Sequence, residues 1–124
     1  MDVTPIIPAG RQVIERYGPS GFRITGVAHA GSVLVFPDRT SPWSVSTIAE
    51  VTAETLRPVI EHGGVEILLL GCGPRMMPVP PALRQELRAA GIIVDPMDTG
   101  AACRTYNVLM AEERRVAAAL IRLG

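Results

Sequence analysis

The stretch Val65-Glu66-Ile67-Leu68-Leu69-Leu70-Gly71-Cys72-Gly73, with the helix and second apolar run that follow it, decides the fold class. Residues 65–70 are almost continuously apolar, the pattern of a strand at the centre of a sheet covered on both faces. After a connection rich in proline, Leu83 and Leu87 stand four apart on one face of a helix over residues 80–90. Gly91 closes that helix before Ile92-Ile93-Val94. Strand, helix and strand in this order form a βαβ unit, whose two strands run parallel.

Towards the N-terminus the pattern changes. Residues 1–9 contain Pro5 and Pro8 and show no period, which predicts an extended lead-in. A strand is expected over residues 13–17, a turn at Gly18-Pro19-Ser20-Gly21, and an alternating strand at Phe22-Arg23-Ile24-Thr25. His29-Ala30-Gly31 makes another turn before the β-prone run of residues 32–36, which Pro37 stops. A polar loop then delivers Trp43-Ser44-Val45, read as a short strand with the only tryptophan in the core. Thr52 and Thr55 compete to cap a helix towards Glu61, and His62-Gly63-Gly64 ends it.

Towards the C-terminus, Ala102, Tyr106, Leu109, Glu113, Val116, Leu120 and Leu123 step by four and three. This spacing predicts one long amphipathic helix, capped by Asp98 or Thr99 and about 36 Å long at ~1.5 Å per residue. The whole is one α/β domain over residues 1–124, with N-terminal antiparallel strands, a βαβ unit and a long C-terminal helix.

Composition narrows the function. An apolar fraction of 48% with 19% charged residues describes a packed globule. No apolar run approaches the ~20 residues that span a bilayer, and no leader-like segment opens the chain, so a cytoplasmic protein is expected. The 12 basic and 12 acidic residues cancel, leaving no overall field to attract nucleic acid. All 12 basic residues are arginine. Without lysine there is no Schiff base and no Walker-type phosphate lysine. Near-zero net charge and high apolar content are compatible with a homodimer.

A βαβ crossover brings the carboxyl ends of both strands to one edge, so Gly71, Cys72 and Gly73 should meet Asp98 and Thr99 there. The last helix starts on that rim and adds Cys103, Arg104, Thr105 and Asn107. An anion held by the helix N-terminus and Arg104 is one reading; a helix merely capped, with Arg104 paired to a carboxylate, is the other. A dinucleotide loop fits poorly, because Met76 replaces the third glycine and Pro74, Pro78, Pro80 and Pro81 forbid a helix directly after the turn. No cofactor is expected. Cys72 and Cys103 lack C-x-x-C spacing and read as reduced thiols, or, for Cys103 beside Arg104, as an acidic reactive thiol. His29 and His62 are isolated from them, so neither a metal site nor a catalytic residue is predicted. Asn107, Glu112 and Arg114 fall on the polar face of the last helix, where Glu112 can pair with Arg115.

Several stretches resemble a known family. They are Asp98-Thr99-Gly100-Ala101-Ala102-Cys103-Arg104-Thr105-Tyr106-Asn107, then Glu112, Arg114 and residues 115–121, with Gly21-Phe22-Arg23-Ile24, Gly31-Ser32-Val33-Leu34, Trp43 and the Gly71-x-Gly73 turn. The chain is similar to the small-domain family, long described as of unknown function, that includes the mitochondrial complex I assembly factor 3. That resemblance implies a three-layer α/β fold with a mixed central sheet. It implies, for the mitochondrial branch, assembly of respiratory complex I at the inner membrane through protein contacts. Cys72 stands where similar sequences also carry threonine, which argues against a general thiol role there. The expectation is therefore a non-enzymatic assembly factor or adaptor. Its partners would be respiratory-complex subunits or other assembly factors, it would reach the membrane only through them, and the rim would be its contact site. A small-molecule or anion site, or an enzyme, in the same rim is the alternative.

Overall fold

The computed structural model describes residues 9–124. The lead-in expected over residues 1–9 thus lies, apart from Ala9, outside the described residues.

The antiparallel N-terminal strands form a small sheet of their own: β1 (Ile14–Gly18), β2 (Gly21–Ile24) and β3 (Val27–His29), in that order. Strand β3 is missing from the sequence reading, which assigns nothing to residues 26–28 and a turn from His29. The signal for it was the turn Thr25-Gly26, whose φ values of 46° and 81° are both in the left-handed region, as a two-residue hairpin requires. Threonine is costly there, and three hydrogen bonds hold the turn. Thr25 N–H donates to Val13 O at 2.9 Å, Val13 N–H to Thr25 Oγ1 at 2.8 Å, and Gly26 N–H to Glu15 Oε1 at 2.8 Å. At Gly21, φ is +118° and a Cβ would stand 2.0 Å from His29 O, so only glycine fits.

The central sheet contains β4 (Val33–Val35), β5 (Thr40–Pro42), β6 (Ile67–Gly71), β7 (Ile93–Met97) and β8 (Val116–Leu120), ordered β5-β4-β8-β6-β7. Strand β6 runs parallel to β7 and β8, while β8 and β5 flank β4 antiparallel, so the sheet is mixed. The predicted βαβ unit is present as β6, α2 (Pro81–Ala89) and β7.

Each face of this sheet has its own core. Leu34, Leu68, Leu70, Val94, Ala117 and Ala119 pack against Leu56 and Val59 around α1 (Arg57–His62) and against Leu83 and Leu87 of α2. Val33, Val35, Leu69, Ala118 and Leu120 pack against Ala102, Tyr106 and Met110 of α3 (Thr99–Ala111) and against Ile14, Phe22 and Ile24 of the small sheet. The result is three layers, with α1 and α2 on one side and α3 with the hairpin sheet on the other.

The long C-terminal helix is not formed. Helix α3 ends at Ala111 after 13 residues, and residues 116–120 are a strand with every side chain buried. The break is at Glu113, whose φ of 60° is left-handed. Glu113 N–H bonds Met110 O at 2.9 Å and Arg114 N–H bonds Leu109 O at 3.0 Å, the paired closure that ends many helices. The Val-Ala-Ala-Ala-Leu run suits a helix by propensity, but it is apolar on both faces, as an internal strand between two packed layers must be.

Smaller corrections follow the same logic. Trp43 is core as expected, with its indole N–H bonded to Thr55 O at 2.8 Å, but the edge strand is Thr40–Pro42 rather than residues 43–45. Thr52 and Thr55 bond each other in a turn instead of capping α1, which begins at Arg57 with Pro58 in its first turn and ends on Gly63 at φ 78°.

Candidate functional site

The carboxyl ends of β6 and β7 meet, as the crossover demands, and the first turn of α3 meets them. Cys72 N–H donates to Met97 O at 2.9 Å and Thr99 N–H to Gly73 O at 2.8 Å. The Thr99 hydroxyl accepts Gly73 N–H at 2.9 Å and donates to Ile121 O at 2.7 Å, while Ile121 N–H returns to Gly71 O at 3.0 Å. One fully buried threonine therefore ties together the chain leaving β6, the chain leaving β8 and the head of α3. A Cβ at Gly71 would crowd this approach, standing 3.1 Å from Thr99 Oγ1 and 3.0 Å from Leu120 Cδ2.

Crossovers leaving β6 and β7 go to opposite faces of the sheet, an arrangement that ordinarily opens a ligand crevice. Here the crevice is closed by these hydrogen bonds. Asp98, not Thr99, caps α3, accepting Ala101 N–H at 2.9 Å. Tyr17, reaching over from β1, lies against Gly100 and accepts a hydrogen bond from one nitrogen of Arg104, whose side chain stays exposed. The head of α3 is thus occupied by its own chain, and Arg104 pairs with a phenol rather than a carboxylate.

Asn107 is not a solvated polar-face residue. Its side chain clasps β1 by accepting Ile14 N–H at 3.0 Å and donating to Ile14 O at 2.8 Å, and the neighbouring Tyr106 hydroxyl donates to Gln12 O at 3.0 Å. Tyr106 is fully buried, and burial pushes its phenol pKa upward. Thr105 is half-buried on α3. Arg115 pairs with Glu66 at 3.3 Å, not with Glu112.

The two thiols do not share a rim. Cys72 belongs to the core on the α2 face and Cys103 to the core on the α3 face. Burial raises the Cys103 pKa to about 12, and the Arg104 charge offsets only part of that. Loss of solvation outweighs the nearby cation, which favours the reading of Cys103 as an ordinary reduced thiol over the acidic one. Cys72 is also shifted upward by burial, with its Sγ directed at Leu70 O and Met77 O.

The open part of this edge lies on the other side of the glycine turn. A groove of about 320 Å³ is lined by Ser46, Thr47, Cys72, Gly73, Arg75, Met77 and Arg122, with Ile48, Pro74, Ile121, Leu123 and Gly124 completing it. The segment after β8 forms one wall, so a reading that keeps residues 112–124 helical cannot find it. The missed residues are Arg75, Arg122 and Ser46; the signals for them were the exposed Arg75-Met76-Met77 run and the short chain after β8. Among the described residues no three His, Cys, Asp or Glu side chains gather as metal ligands, and no helix is long and apolar enough to cross a membrane.

Fold and edge together define a three-layer α/β domain, doubly wound at its centre and carrying a separate hairpin sheet clasped by α3. The chain belongs to the family described as "Protein of unknown function (DUF498/DUF598)", whose model matches residues 14–121. It is 40% identical to an uncharacterised protein of Rhodobacter capsulatus over 91% of this chain and 86% of that one. It is 36% identical to the NADH dehydrogenase [ubiquinone] 1 alpha subcomplex assembly factor 3 of Danio rerio, covering 88% of this chain and 63% of that protein. Its fold matches the solution structure of a Bordetella pertussis protein described as an Mth938-like domain, with a TM-score of 0.85, 28% identity, and coverage of 100% of this chain and 94% of that one.

Proposed function

We propose that this chain is an assembly factor for a respiratory NADH dehydrogenase of the complex I type and that it works through protein contacts. The observation that carries this reading is its likeness to relatives named as complex I assembly factor 3, which extends over 88% of the chain. A contact role, rather than a reaction at the sequence-predicted rim, is supported by how that rim is spent. Thr99, Asp98, Arg104 and Asn107 all bond their own chain, and both thiols are pushed away from the reactive thiolate. Of the glycine turn, Cys72 and Gly73 line the adjoining open groove. Partners would approach the adjoining open groove and its loop. Attachment to the membrane would come through those partners. The chain spans 63% of the zebrafish relative, so any contribution of the remainder of such proteins lies outside this domain.

The test is deletion of the gene in its own host, with assembled NADH dehydrogenase read by native gel and in-gel activity. Loss of the full-size band, accumulation of partial complexes and rescue by the wild-type gene are expected. An unchanged level of assembled enzyme would reject the role.

A further inference from the structure

The groove at the carboxyl edge differs in charge from the rest of this neutral chain. Its charged lining side chains are Arg75 and Arg122, with no Asp or Glu side chain among the lining residues. Both arginines are exposed, and Arg122 uses one nitrogen to donate to Ala30 O at 3.1 Å. Neither makes an ion pair among the described residues. Glu50, which does not line the groove, accepts Ser46 N–H and Thr47 N–H at 3.0 Å each; these bonds lower its pKa, and its carboxylate keeps its charge.

Beside the arginines runs an apolar loop. Met76 and Met77 are 56% and 37% exposed and adjacent, and Pro74, Arg75 and Pro78 around them are exposed too. Contiguous exposed apolar side chains mark contact surfaces more often than isolated ones do, and methionine adapts to varied partners. The loop is preorganised. Its base is fixed by the Thr99 network and by the contact of Cys72 Sγ with Met77 O at 3.7 Å, and the prolines limit its freedom. A partner therefore meets a surface already ordered, which reduces the entropy lost on binding.

We propose that this groove receives an extended protein segment that carries a carboxylate side chain next to an apolar one. The carboxylate would lie between Arg75 and Arg122, and the apolar side chain against Met77, which lines the groove, with the exposed Met76 next to it in the loop. Charge complementarity selects this occupant, since planar guanidinium groups recognise carboxylates by paired hydrogen bonds. A groove of about 320 Å³ is at the small end of ligand sites and admits a side chain or two rather than a helix. The inference rests on the protein-contact reading and specifies its chemistry.

The test uses a random dodecapeptide library displayed on phage, selected on the intact chain, on the charge-reversed variant Arg75→Glu with Arg122→Glu, and on Met76→Ser with Met77→Ser. The wild type should enrich peptides with Asp or Glu beside an apolar residue. Charge reversal should switch the enrichment to Lys or Arg, and the serine variant should lose the apolar neighbour. A selected peptide should bind the charge-reversed chain at least about tenfold more weakly and should shift the amide resonances of Gly73 and Arg75. No enrichment over bare support would overturn the proposal, as would a consensus indifferent to charge reversal or shifts confined to another surface. A concentration-dependent dimer that buries Met76 and Met77 would overturn it too, by making a second copy the occupant. No respiratory protein enters this selection, so its failure leaves the deletion result standing, and the reverse also holds.

Discussion

Replacing Thr99 by valine tests the central claim about the carboxyl edge. Valine has nearly the same shape, so packing is kept while the hydroxyl is lost. That hydroxyl accepts from Gly73 N–H at 2.9 Å and donates to Ile121 O at 2.7 Å, in a residue with no exposed surface. Each buried backbone group left without a partner costs about 1–3 kcal/mol. Water entering from the adjoining groove recovers part of this, so a loss of about 2–4 kcal/mol is expected. Domains of this kind have only about 5–15 kcal/mol in total, and at ~4 °C per kcal/mol the melting temperature should fall by about 8–16 °C. Thr99→Ser is the control, since it keeps the hydroxyl and loses one methyl, at about 1 kcal/mol. Urea unfolding followed by circular dichroism measures both variants, and hydrogen exchange at Gly73 N–H locates the damage. If the valine variant is as stable as the serine variant, the hydroxyl does not hold the edge together and the reasoning fails.

Three other outcomes are expected. Glu113→Gly should raise stability by about 0.5–1 kcal/mol in urea unfolding, because glycine takes the left-handed conformation at φ 60° without strain; a loss of stability would mean that the glutamate side chain compensates for its backbone. Asn107→Leu should cost about 2–4 kcal/mol by stranding Ile14 N–H and O, with exchange at Ile14 accelerated before exchange in β6; unchanged protection of Ile14 would refute the clasp. Cys103 should resist alkylation in the native chain and react once urea exposes it. Since its folded pKa is about 12 against 9.0 for an ordinary thiol, its contribution to stability is complete below pH 9 and is lost as pH rises towards 12. Cys103→Ala should flatten that alkaline slope, and an equal slope in both proteins would contradict the burial argument.

The βαβ core was legible because a doubly buried strand is written as an uninterrupted apolar run. Residues 65–70 have that form, and the helix after them carries leucines at helical spacing. What failed was the punctuation. Helices commonly stop at glycine, and α3 stops at Glu113 in the conformation that glycine usually supplies. Beyond it, Val116 and Leu120 continue the helical step of four by coincidence, and three alanines favour helix by propensity. Only the tertiary position of β8, paired with β4 on one side and β6 on the other, decides against them. The missed hairpin turn is a similar case, since Thr25 adopts a left-handed conformation that three hydrogen bonds sustain.

The misread strand has a direct consequence for the site. If residues 112–124 stay helical, the last residues run away from the glycine turn, and the only partner left for that turn is the head of α3. Once β8 is placed parallel to β6, its carboxyl end must arrive at the same edge as Gly71, and Ile121 N–H does bond Gly71 O at 3.0 Å. Arg122 then follows within the wall of the groove that Arg75 also lines. The predicted rim and the open groove are thus two sides of one glycine turn. On the α3 side one threonine hydroxyl satisfies Gly73 and Ile121 together, and on the other side Arg75 and Arg122 line the groove.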